Sequence, residues 1–119
     1  MKTHKDLDVW KKAVNFVTDL YKLTQDFPKE ELYGLTSQMR RAAISIPSNI
    51  AEGSARQGNK ELVQFLYIAL NSVVELDTQL IIARNLSYIS EEKFIQLIVK
   101  LEEIAKMLNG LINYRKTKL

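Results

Sequence analysis

The chain has 119 residues, 46% hydrophobic and 26% charged, an ordinary balance for one folded domain with its own core. It contains no cysteine, which excludes disulfides and thiolate metal sites. The formal net charge of +3 sits at the ends, because residues 6–114 carry 12 basic and 14 acidic side chains while Lys2, Lys5, Arg115, Lys116 and Lys118 are all basic.

The opening stretch MKTHKDLDVWKK has no apolar run of signal-peptide type. The apolar stretches at residues 65–70 and 95–99 are interrupted by Asn71, Gln96 and Lys100, too soon to span a bilayer. A cytoplasmic protein without a membrane partner is expected.

The first helix is predicted over about residues 7–26, with Asp6 as N-cap and Asp8 adding negative charge to the first turn. Leu7, Trp10, Val14, Val17, Tyr21 and Thr24 form a heptad seam, and Val9, Ala13, Phe16, Leu20, Leu23 and Phe27 form a second stripe beside it. The step Phe27-Pro28 ends the helix, since the residue before proline is pushed out of the α region.

The second helix is expected over 31–55, with Leu35, Met39, Ala42, Ala43, Ile46 and Ile50 facing the core. Pro47 falls in its middle, and because Ile46 would be a poor N-cap, a kinked continuous helix is favoured over two segments. Asn59 is the expected cap of the third helix, 60–84. Its seam is Leu62, Leu66, Ala69, Val73, Leu76, Leu80 and Ala83, flanked by Val63, Tyr67, Leu70, Val74 and Ile81, with Asn85 closing it at C′. Ser90 caps the fourth helix, 90–114, whose seam runs Phe94, Leu97, Leu101, Ile104, Leu108 and Leu111.

No β-type alternation occurs, and connections of roughly three to six residues favour antiparallel neighbours. The expected fold is an all-α, up-down-up-down four-helix bundle, one domain over residues 1–119. The doubled apolar stripes fit either a wide core-facing arc or an exposed face that drives self-association. The topology gathers both termini and the second inter-helix loop at one pole, with Lys2, His4, Lys5, Arg56, Lys60, Arg115, Lys116 and Lys118. The other pole has Asp26, Glu30, Glu31, Glu91 and Glu92 against Lys29 and Arg84.

The sites that helical bundles use for chemistry are missing. The only histidine, His4, excludes a Glu-x-x-His metal site, and the Gly53–Gly58 segment lacks the lysine of a phosphate loop. The acidic pairs Glu91/Glu92 and Glu102/Glu103 share one helix rather than facing each other. Nor does a basic helix face alternate with aromatic residues. One polar stripe stands out: Arg41, Ser45, Ser48, Glu52 and Arg56, flanked by Asn49, opposite Glu75 and Gln79. An Arg41–Glu75 contact across the second and third helices would set their register; a ligand site is the other reading.

This stretch, Arg41-Ala42-Ala43-Ile44-Ser45-Ile46-Pro47-Ser48-Asn49-Ile50-Ala51-Glu52-Gly53, resembles the signature of the four-helix-bundle family of 23S rRNA intervening-sequence proteins. Two further segments fit it: residues 7–11, and 65–70 followed by 75–80, so that the likeness covers roughly 6–112. The resemblance implies a homopentamer of bundles with no established enzymatic activity, and no cofactor is expected. It also implies kinship with a retroelement accessory protein, a basic pentameric barrel that works with a reverse transcriptase and nucleic acid.

Two functions follow as expectations. One is an oligomeric nucleic-acid-binding or ribonucleoprotein accessory module contacting RNA or DNA through Lys2, Lys5, Arg56, Lys60, Arg115, Lys116 and Lys118. The other is an interaction scaffold that recruits a protein partner.

Overall fold

The computed structural model describes residues 3–119. Four helices, α1 (Asp8–Thr24), α2 (Leu35–Ser54), α3 (Asn59–Asn85) and α4 (Glu91–Lys116), are accompanied by 3₁₀ turns at His4–Asp6 and Lys29–Glu31. Side-chain pairs fix how they run. Ser45 meets Ser72 and Gly53 abuts Phe65, so α2 and α3 are antiparallel. Lys12 pairs with Glu103 and Asp19 with Lys100, which sets α1 against α4 in the same sense. Arg84 reaches Glu91 while Lys116 reaches Tyr67, completing an up-down-up-down all-α bundle.

The core stripes of α2 and α3 are those the sequence predicts, with Met39, Ala43, Ile46, Ile50, Leu66, Ala69, Leu76, Leu80 and Ala83 sealed from solvent. In α1 the choice of seam is corrected. Val9, Ala13, Phe16 and Leu20 are buried with Thr24, whereas Trp10, Val17 and Leu23 are only partly covered. Both stripes have heptad spacing, so spacing alone does not choose between them. Trp and Tyr favour half-wet positions because one end of each is polar. Trp10 lies edge-on to His4 at 5.2 Å, and Tyr21 lies under the Arg40 guanidinium at 4.5 Å.

In α4 the last core residue is Ile112 rather than Leu111. Eighteen residues separate Phe94 from Ile112, five full turns at about 3.6 residues each, whereas the strict heptad count has drifted off the face by then.

The ends shift for local reasons. Asp6 accepts from the Thr3 N–H at 2.9 Å and so closes the preceding 3₁₀ turn; Leu7 is the N-cap of α1, without a side-chain bond. The expected start of α2 near residue 31 is replaced by the 3₁₀ turn, with α2 opening at Leu35 after Gly34. Gly58, not Asn59, is the N-cap of α3. Ser90 caps α4, accepting from Lys93 N–H at 3.1 Å. The left-handed residue after α3 is Ser87, φ 62°, not Asn85. Tyr88 N–H donates to the Ala83 carbonyl and Ser87 N–H to that of Arg84, the paired bonds of a Schellman closure.

α2 continues through buried Pro47 as one helix. Near its end Gly53 lets α3 approach closely, since a β-carbon there would lie 2.8 Å from Phe65 Cβ. An 18-residue window of α3 has mean hydropathy 1.4, long and apolar enough to cross a membrane by composition, contrary to the sequence expectation. In the bundle α3 packs on both α2 and α4, which accounts for its apolar character on two sides.

Candidate nucleic-acid interface

The end of the bundle that holds the start of α1, the end of α2, the start of α3 and the end of α4 gathers most of the predicted cations. Lys2 lies outside the described residues. Lys5, Arg56, Lys60, Lys116 and Lys118 are exposed and Arg115 is half-buried. None of these six takes part in a salt bridge among the described residues, where the ion pairs are Lys12–Glu103, Lys100–Asp19 and Arg84–Glu91.

Aromatic rings of α3 and α4 accompany the cations. Lys116 Nζ donates to the Tyr67 hydroxyl at 3.1 Å and lies 5.6 Å from that ring's centroid. The Lys118 ammonium is 5.1 Å and the Arg115 guanidinium 5.7 Å from the centre of Tyr114, and Arg56 lies 4.9 Å from that of Phe65. Tyr67 and Tyr114 remain 40% and 55% exposed, enough to offer ring surface to a ligand. The proximity of Tyr114 to Arg115 and Lys118 is written in the sequence. That of Tyr67 to Lys116 depends on the antiparallel register of α3 and α4, which spacing along one helix does not reveal.

Arg115 also reaches the first turn of α3, its Nη1 donating to Asn59 Oδ1 at 3.4 Å, while its buried Nε has no partner among the described residues. The backbone N–H groups of that turn add positive potential, since Gly58 supplies no side-chain cap. The end is less purely basic than the predicted pole, because Asp6, Asp8, Glu52 and Glu61 share it. At the other end Lys22 and Lys93 temper the carboxylates in the same way.

The polar stripe on α2 is rearranged from the predicted pairing. Arg41 and Glu75 form no ion pair; both are exposed, and the Gln79 amide donates to Glu75 Oε2 at 3.1 Å. The contact that joins α2 to α3 is instead Ser72 Oγ–H to Ser45 Oγ at 2.9 Å. Asn49 Nδ2 donates to the same oxygen at 2.9 Å and to the Ser45 carbonyl at 2.8 Å. Glu52 is exposed beyond this network. Arg41 lies in an open groove of about 490 Å³ with Tyr21, Leu32, Tyr33, Ser37, Arg40 and Ile44.

No group of three or more His, Asp or Glu residues able to hold a metal ion occurs among the described residues. The grooves between α1 and α4, about 260 and 270 Å³, have the Lys100–Asp19 and Lys12–Glu103 pairs in their walls, together with Lys22, Asp26 and Lys93.

The fold and the polar helix-2 network define an antiparallel four-helix-bundle protein. A model of the 23S rRNA-intervening sequence protein family matches residues 5–110, and the chain belongs to that family. It is also similar to a crystal structure from Bacteroides thetaiotaomicron, described as a protein of unknown function from the S23 ribosomal protein family. The TM-score is 0.82 at 25% identity, covering 88% of this chain and 95% of that one. No curated protein matches the chain.

Proposed function

We propose that this chain is a non-enzymatic cytoplasmic building block that assembles with copies of itself and binds RNA or DNA at its basic end. The observation that carries the binding half is the cluster of Arg115, Lys116 and Lys118, in no salt bridge among the described residues and set against partly exposed Tyr67 and Tyr114. Cations neutralise phosphates, and aromatic rings beside them add contact with bases.

Apolar surface supports the assembly half. On α3, Val74 and Ile81 lie seven residues apart on the outer side, with Val74 61% exposed, and Ile95 and Val99 on α4 are more than half exposed. Such rows favour burial against another copy. A pentamer, the assembly implied by the family resemblance, would bring five basic ends together. Sedimentation equilibrium tests this: a monomer of 13.7 kDa at micromolar concentration would overturn self-assembly.

Binding is tested by fluorescence anisotropy with labelled RNA and DNA over a salt series. Affinity is expected to fall steeply with salt, and replacing Arg115, Lys116 and Lys118 by Gln should weaken it and flatten the slope. A low-salt affinity no better than that of a neutral control protein would end the proposal. The groove at Tyr21, Leu32, Tyr33 and Ile44 favours the second reading, a scaffold for a protein partner, with Arg40 and Arg41 at its edge.

A further inference from the structure

Resting on the nucleic-acid reading above, we infer that the basic end selects single-stranded over duplex nucleic acid, with bases stacking on Tyr67 and Tyr114 while Arg115, Lys116 and Lys118 hold the adjoining phosphates.

Each of the two tyrosine rings carries a cation within 6 Å of its centroid and keeps a large share of its surface in solvent. In a duplex the base faces are already stacked on one another, so an exposed tyrosine finds no base face to cover. In a single strand every base offers one, and the charge beside the ring meets the phosphate attached to it. The Lys116 ammonium is bonded to a neutral phenol rather than to a carboxylate, so it can turn to a phosphate without breaking an ion pair.

The distribution of charge points the same way. Asp6, Asp8, Glu52 and Glu61 share this end, so its charge is mixed rather than uniformly basic. The bundle is only about 23 by 21 Å across its long axis. A rigid duplex spreads two phosphate rows over a face of that size and would bring some of them against the carboxylates. A flexible strand can follow the cations and avoid the acids.

The test measures anisotropy of labelled U12, dT12 and 12-base-pair RNA and DNA duplexes at low salt. It compares the unmodified protein with Tyr67→Ala/Tyr114→Ala, Tyr67→Phe/Tyr114→Phe and Arg115→Gln/Lys116→Gln/Lys118→Gln. Circular dichroism and sedimentation of each variant confirm fold and assembly. U12 or dT12 is expected to bind at least about five-fold more tightly than the matching duplex. The alanine pair should lose that preference with a fall of about five-fold or more, while the phenylalanine pair keeps it, because the ring and not the hydroxyl stacks.

Equal binding of strand and duplex, untouched by the alanine pair but weakened by the glutamine triple, would overturn this inference and leave the nucleic-acid reading standing. Loss of binding to every probe would overturn both.

Discussion

Tyr88, in the turn after α3, donates its hydroxyl to Glu31 Oε2 at 2.8 Å, and the other oxygen of the same carboxylate accepts the Leu35 N–H at 3.2 Å. One side chain therefore caps α2 from outside the helix and ties it to the connection between α3 and α4. Gly34 makes room for this, since a β-carbon there would lie 2.9 Å from Glu31 Oε1. The Tyr88 ring in turn lies 5.4 Å from that of Phe27, which closes the turn after α1. The two connections at this end of the bundle, α1 to α2 and α3 to α4, are joined through a tyrosine and a glutamate.

That hydrogen bond gives a pH-dependent stability. Donation to Glu31, with some burial and the charges of Glu31 and Glu30, raises the Tyr88 pKa above its ordinary value near 10. The phenol is the donor, so its contribution is complete below about pH 10 and is lost as pH climbs through the raised folded value. Tyr88→Phe should unfold at lower urea than the parent at neutral pH, and the gap between them should narrow progressively above about pH 10. A gap that is constant to pH 11 would contradict the assignment.

Two glycines in helices are expected to respond oppositely to alanine. At Gly53 the new β-carbon would meet Phe65 Cβ at 2.8 Å, Leu62 Cδ1 at 3.0 Å and the Leu62 carbonyl at 3.3 Å. Crowding of this kind costs about 1–3 kcal/mol, more than the roughly 1 kcal/mol that alanine gains over glycine in a helix. Gly53→Ala should therefore be destabilising by a net of up to about 2 kcal/mol. Gly110, exposed within α4, has nothing within 4 Å of the same position. Gly110→Ala should stabilise by about 0.5–1 kcal/mol. Urea melts at one fixed protein concentration, which holds any assembly contribution constant, measure both.

The adjacent arginines of α2 differ in what they touch. Arg40 Nε donates to buried Thr24 Oγ1 at 2.9 Å, its Nη2 reaches the Tyr21 carbonyl at 3.4 Å, and its guanidinium covers the Tyr21 ring. Arg41 is exposed and outside any salt bridge among the described residues. Arg40→Ala should cost about 1–2 kcal/mol from the lost hydrogen bond and cation–π contact. Arg41→Ala should change stability by less than about 0.5 kcal/mol. A larger loss at Arg41 than at Arg40 in urea melts would reverse these two roles.

The parts of the fold that one helix decides alone were legible in the sequence. The core faces of α2 and α3 and the Ser90 cap follow from spacing and capping chemistry within a single segment. What needed the partner helix was not. The two stripes of α1 have the same period, and only packing shows that Val9, Ala13 and Phe16 face inward. Arg41 and Glu75 looked like register partners because charge is conspicuous, yet two serines opposite each other make the contact. The candidate interface divides in the same way. Arg115, Lys116 and Lys118 were evident as a basic run, whereas the aromatic surface became visible only when α3 and α4 were set side by side.

Polar groups between α2 and α3 should differ in how much they stabilise the bundle. Ser72 donates to Ser45 Oγ but has a second acceptor in the Ile68 carbonyl at 3.3 Å, and Asn49 keeps the Ser45 carbonyl whatever happens to the hydroxyl. Each of Ser45→Ala and Ser72→Ala should thus cost only about 0.5–1.5 kcal/mol. The double variant should cost less than their sum, since both remove the same bond. Gln79 is the opposite case: it is buried, its Nε2 serves exposed Glu75, and its Oε1 has no partner among the described residues. Losing that hydrogen bond costs about 0.5–1.5 kcal/mol, while removing an unsatisfied buried acceptor regains about 1–3 kcal/mol. Gln79→Met should therefore leave the urea midpoint unchanged or raise it. A loss of more than about 2 kcal/mol would mean that Oε1 is satisfied in the working protein, by ordered water or by a group from another copy.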